Sequence, residues 1–188
     1  MFKLIILQNC FLKNSTKNTK LFIKLKHGKP LLAAQQCVGL TEKQVIVVPT
    51  HSIPQGISAM MSVDTAEEDP QAILAAMTEA AAAVTTAQIT YAARNSDFDG
   101  FAINEGDYLA LLDGKLFGTE RDITSLLTRL AALAAEREAA FVTLFYGEGV
   151  SQEEAEAAQA LFTEACPETE VSLLSGGQPV YYYTISIE

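Results

Sequence analysis

Apolar positions along the chain switch between two periods, and the switches mark its elements. Val45-Ile46-Val47-Val48 is an unbroken β-branched run, the pattern of a strand covered on both faces. Pro49 ends it. In Ser52-Ile53-Pro54-Gln55 a capping serine precedes a proline that needs no N–H, and the glutamine is spaced to close a capping box. A short helix through about Met61 is expected. Asp69-Pro70 opens a second helix in the same way, carried by Ala72, Leu74, Ala75 and Met77 to about Val84. This order predicts part of a parallel α/β layer.

Beyond residue 88 the texture changes to short alternating runs. Gln88–Arg94 and Tyr108–Leu112 read as strands separated by a polar loop from Asn95 to Gly106, and Asp113-Gly114 signals a tight hairpin returning through Lys115-Leu116-Phe117. Ile123, Leu126, Leu127, Leu130 and Leu133 recur at helical spacing. A strand over Ala140–Tyr146, a capping box at Ser151-Gln152-Glu153-Glu154, a helix to Ala165, and strands at Val171–Leu174 and Val180–Ile187 complete the pattern. The fold class expected is α/β: a partial parallel α/β layer over residues 21–87, followed by a two-layer α/β sandwich with a mixed sheet over residues 88–188.

The beginning does not fit either texture. Cys10 to Lys20 is rich in Lys and Asn, so residues 1–20 read as a basic, poorly ordered extension. Leu21-Phe22-Ile23 begins a strand, and Pro30 followed by Leu31–Cys37 suits a helix stopped by Gly39.

Charge sharpens that division. Over 188 residues the formal charge is −10, yet residues 1–43 hold eight lysines against the single acid Glu42, +7, while residues 44–188 hold five basic residues and twenty-two acids, −17. So acidic a body repels phosphate backbones, which argues against nucleic-acid binding. No apolar run is long enough to insert into a membrane, and the apolar start stops at Gln8-Asn9 without a cleavage site. Cys10, Cys37 and Cys166 form no CxxC pair. A disulfide scaffold is excluded and a cytoplasmic location expected.

Candidate chemistry is sparse. Gly147-Glu148-Gly149 lies between strand and helix, where bare N–H groups often hold phosphate, but Glu148, Glu153 and Glu154 repel an anion there. Asp97, Asp99, Glu105 and Asp107 miss the calcium-loop spacing and read as turn chemistry. His27 and His51, the only imidazoles, lack partners at zinc spacing. Thr50, His51 and Ser52 stand at the carboxyl end of a buried strand, where open α/β sheets bind ligands. A hydroxyl–imidazole pair is also a possible nucleophile and base, although Ser52 has a capping role. Ser175-Gly176-Gly177-Gln178-Pro179 specifies a backbone path before Tyr181, Tyr182 and Tyr183, of which one face is core and Tyr182 a candidate interface anchor. The residues taken forward as ligand or partner contacts are Thr50, His51, Ser52, Gln55, Gly56, Gly176, Gly177, Gln178 and Tyr182. No catalytic residue and no metal ligand is assigned.

Several motifs in order carry a resemblance. Val45 through Gly56, Thr90-Tyr91-Ala92-Ala93-Arg94 with Asp99-Gly100, Glu105-Gly106-Asp107-Tyr108, Asp113-Gly114-Lys115, Tyr146-Gly147-Glu148, and Gly176 through Tyr183 with Ser186-Ile187-Glu188 resemble the C-terminal region of the FakA family. These are the ATP-binding, dihydroxyacetone-kinase-like (DAK2-domain) subunits of bacterial fatty acid kinase. The resemblance spans roughly residues 30–188, with none found upstream of residue 21. It implies a DegV-like fold and, for the complete subunit, phosphorylation of a fatty acid carried by a DegV-like partner, FakB, giving an acyl phosphate for phospholipid synthesis. The C-terminal region would dock that partner.

The family's nucleotide domain, with its ATP and magnesium, and its middle domain have no counterpart in this sequence. Lys24 to Pro30 also depart from the family's strand and loop. The resemblance therefore implies a non-catalytic, truncated reading frame without cofactors of its own, competent to dock a carrier. The alternatives are a stand-alone lipid-binding protein of DegV type and, third, a hydrolase using Thr50, His51 or Ser52; a homodimer stays open.

Overall fold

The computed structural model describes residues 5–7, 10–16, 19–24, 44–98 and 101–188, of which residues 5–24, 44, 45, 98 and 101 are described by their backbone alone. It divides into two compact units, Met1–Val84 and Thr85–Glu188. At the start of the second unit Val84 leaves the helical conformation and a strand begins at Thr85, within the boundary expected near residues 85–88.

The first unit carries a four-stranded sheet in sequential order, β1 (Ile5–Leu7), β2 (Cys10–Thr16), β3 (Thr19–Lys24) and β4 (Gln44–Val48). β1, β2 and β3 pair antiparallel, and β3 runs parallel to β4 from Thr19↔Gln44 to Ile23↔Val48. Within residues 1–20, the segment read as a basic extension, the described backbone places β1, β2 and the start of β3, with β2 between its two neighbours. The helix expected from Pro30, and His27, lie outside the described residues.

Helices α1 (Ile53–Met61) and α2 (Pro70–Ala83) follow, each opened as expected, by Ser52 and by Asp69. They pack on each other and on β4, enclosing Ile46, Val48, Ala59, Ile73, Met77 and Ala81.

The second unit is a six-stranded mixed sheet in the order β11-β10-β12-β5-β8-β9. Its strands are β5 (Thr85–Tyr91), β8 (Tyr108–Leu112), β9 (Lys115–Glu120), β10 (Phe141–Tyr146), β11 (Glu170–Ser175) and β12 (Tyr183–Ile187). Only β10 and β11 are parallel. Alternate residues Ala87, Ile89, Ala110, Val142, Leu144, Tyr183, Ile185 and Ile187 face helices α3 (Ile123–Glu136) and α4 (Gln152–Ala165), whose Leu126, Leu130, Ala158 and Phe162 complete the core. This is the α/β class expected, two-layered in its second unit.

Two local expectations change. The loop from Asn95 to Gly106 contains a small hairpin, β6 (Ser96–Phe98) with β7 (Phe101–Ile103), hidden by its polar composition. The last strand starts at Tyr183, not Val180, because residues 176–182 are bound into a loop. Asp113 and Gly114 take φ of 48° and 81°, the left-handed pair that a two-residue hairpin turn demands. Among the described residues no helix is long and apolar enough to cross a membrane.

Candidate functional site

The candidate residues fall into two groups, one in each unit. In the first unit, the chain turns sharply after β4, Thr50 N–H donating to the Val48 carbonyl at 2.9 Å. Thr50 is fully buried, and its Oγ1 has no hydrogen-bond partner among the described residues. Ser52 caps α1 by accepting from the Gln55 N–H at 3.3 Å. The Gln55 side chain does not close the box on Ser52; its Oε1 accepts from the His51 N–H at 2.7 Å and its Nε2 donates to the Val84 carbonyl at 3.3 Å. Gln55 therefore ties the strand-to-helix turn to the end of α2. Gly56 is buried on α1 and its N–H donates to the Ser52 carbonyl. This arrangement opposes the hydrolase reading: Thr50 is shielded from solvent and the Ser52 oxygen is an acceptor for the helix.

In the second unit, two loops are joined by their backbones. Gly147 N–H donates to the Tyr182 carbonyl at 2.9 Å, Glu148 N–H to Gln178, and Gly176 and Gly177 N–H both to Tyr146. Gln178 Nε2 reaches the Phe145 carbonyl at 2.8 Å. Tyr182 N–H and the Thr90 hydroxyl fasten the same loop to β5 through the Ile89 and Val180 carbonyls. The N–H groups of Gly147 and Glu148 are thus turned inward, which removes the donors a phosphate would need. Gly177 has φ +59°, the left-handed conformation that a glycine adopts at no steric cost.

Tyr182 brings together a group that sequence spacing did not show. Its ring stands edge-on to Tyr108 at 5.4 Å between centroids and to Tyr91 at 6.2 Å. Tyr91 and Tyr108 are directly opposed in the β5/β8 register. Burial, then the neighbouring Tyr108 and Tyr91, push the Tyr182 phenol above its ordinary pKa. Tyr183 is 2% exposed and its hydroxyl donates to the Glu154 carbonyl at 3.2 Å. Burial, and secondarily the Glu154 charge, raise its pKa to about 12. Beside this cluster Tyr91 and Val180 are exposed, at 51% and 58%. The signal that finds Tyr91 and Tyr108 is their shared position at the mouth of one antiparallel pair.

The acidic loop has structural duties. Asp107 is buried, and its Oδ2 accepts from both nitrogens of Asn104 at 3.0 and 3.1 Å. Glu105 N–H donates to Asn95 Oδ1, and Asp99 lies outside the described residues. Among the described residues no group of three His, Cys, Asp or Glu is placed to hold a metal ion. Glu154 closes the expected capping box: its carboxylate accepts from the Ser151 N–H and hydroxyl, both at 2.8 Å, and these bonds lower its pKa.

The family model for the C-terminal region of FakA-like proteins of fatty acid kinase matches residues 13–188. It reaches further upstream than the expected limit near residue 30, through β3 and into the second half of β2, where no short motif marks the likeness. Protein YloV of Bacillus subtilis (strain 168) is 34% identical over 167 residues, 89% of this chain and 30% of its own length. The chain spans about 30% of the length of the curated relatives it matches. In fold, it is similar to a DegV family protein of Corynebacterium glutamicum, with TM-score 0.68 and 13% identity over 99% of this chain and 86% of that one. It is also similar to the Streptococcus pneumoniae fatty acid kinase B3 protein loaded with linoleic acid, with TM-score 0.60 and 9% identity over 93% and 80%.

Proposed function

The chain belongs to the FakA-like C-terminal family of fatty acid kinase, and from that premise we propose that it is a non-catalytic docking region of the kinase's ATP-binding component. Its partner is a DegV-like fatty-acid carrier, FakB, engaged while the acyl phosphate forms. ATP and magnesium belong, in this reading, to a separate nucleotide domain of the complete protein.

One observation carries the docking role: exposed Val180 lies in a loop hydrogen-bonded both to residues 145–148 and to β5, and exposed Tyr91 ends β5 next to Thr90, whose hydroxyl donates to the Val180 carbonyl. Pre-ordered backbone lowers the entropy lost on association, and tyrosine is among the residues enriched at interface hot spots. The inward-turned Gly147 and Glu148 amides support the non-catalytic part. Titration with a fatty-acid-loaded DegV-like protein tests the proposal.

A second reading, in which the chain itself holds a lipid, is favoured by the unpartnered hydroxyl of buried Thr50 beside the N-terminus of α1. Similarity in fold to a protein loaded with linoleic acid adds to it. Native mass spectrometry distinguishes the two: co-purifying acyl chains that disappear in Thr50→Val support lipid holding, and an acyl-free chain that binds the carrier supports docking.

A further inference from the structure

Between the two helices of the second unit lies a cavity of about 390 Å³, near the lower end of the ~300–1,000 Å³ common for ligand sites. Ile123 and Leu127 of α3, with Val150 and Leu161, are apolar lining, and Tyr108, Tyr182 and Tyr183 also line it. Among the described residues, Glu154 is the only charged one in the lining. Its carboxylate accepts from the Ser151 N–H and hydroxyl, which favours the ionised form.

We propose that this cavity is an anchor site for a lysine or arginine side chain on an aliphatic, basic segment of a protein partner. The alkyl stem lies against the apolar walls while the cationic head meets the Tyr rings and the Glu154 carboxylate. Charge complementarity selects this occupant. Residues 85–188 hold seventeen acids against five basic residues, and no described Lys or Arg lines the cavity to receive an anion. An acyl carboxylate would meet Glu154 instead. The same field steers a basic segment toward the groove.

The experiment uses the full chain, labelled with ¹⁵N, and two blocked peptides of equal length, one alternating Leu and Lys, the other Leu and Glu. The basic peptide should shift amide signals of Tyr108, Glu154, Leu161 and Tyr182 in a saturable manner, and the acidic peptide should leave them unmoved. Glu154→Gln keeps the capping box, since Gln serves at that position, and should weaken the basic peptide about fivefold. Glu164→Gln, on the same helix but outside the cavity, should not. Equal binding of both peptides, or equal loss in the two variants, would overturn the site in favour of general stickiness or general charge. Absence of binding would overturn it outright. Titrating Glu154→Gln with the carrier separates this inference from the docking proposal, which does not depend on Glu154.

Discussion

Gly147 lies so close to Tyr181 that a β-carbon at position 147 would overlap the Tyr181 carbonyl oxygen, and it would also press on the Gln178 carbonyl. Both obstacles are backbone, and that backbone is held by hydrogen bonds to Gly147 and Glu148 themselves. Gly147→Ala is therefore expected to lower the unfolding free energy by about 1–3 kcal/mol, the usual cost of overpacking. Gly177→Ala meets no neighbouring atom and should lose about 1–2 kcal/mol from its left-handed backbone alone. Urea unfolding of both variants measures the losses; Gly147→Ala as stable as the parent chain would contradict the joined-loop description.

Tyr183 links stability to alkaline pH. Its folded-state pKa of about 12 stands above the ordinary 10, so between these values the unfolded chain sheds this proton while the folded chain keeps it. Stability falls as pH rises through that window. Tyr183→Phe removes the titrating group, and its urea midpoint should decline less steeply from pH 10 to 12 than that of the parent chain. Parallel declines would show that Tyr183 ionises as freely in the folded chain as outside it.

Gln55 spans two segments with one side chain, to the His51 N–H and the Val84 carbonyl. Gln55→Leu fills similar space but removes both hydrogen bonds, and at about 0.5–1.5 kcal/mol net for each a loss of about 1–3 kcal/mol is expected. Differential scanning calorimetry measures it. A loss no larger than that of an exposed substitution such as Glu79→Gln would remove Gln55 from the frame of the first unit.

Thr50→Val exchanges an unpartnered buried hydroxyl for a methyl group of the same shape. With no hydrogen bond to lose, the change should leave stability equal or raise it by about 1 kcal/mol. A loss above that size, measured by urea unfolding, would mean that the hydroxyl has a partner in solution.

How much of this was readable from sequence depends on the range of the interactions involved. The β4 run Val45–Val48, the caps Ser52, Asp69 and Ser151, the Asp113-Gly114 turn and the leucine spacing of α3 are local patterns, and each lies where the pattern put it. What stayed hidden is non-local. Tyr182 meets Tyr91 and Tyr108 because β5 lies between β12 and β8, an order that no period in the sequence encodes. Gly147 is required by the backbone of residues 178 and 181, far along the chain. Composition misled at the β6–β7 hairpin, where a polar stretch still forms a ladder.

The most direct test of the docking account is isothermal titration of the folded chain with a DegV-like protein carrying a fatty acid. Saturable one-to-one binding at micromolar concentration is expected, weakened by Val180→Asp in the exposed loop and retained in Thr50→Val. No heat of binding at that concentration, with the chain shown folded by circular dichroism, would contradict it.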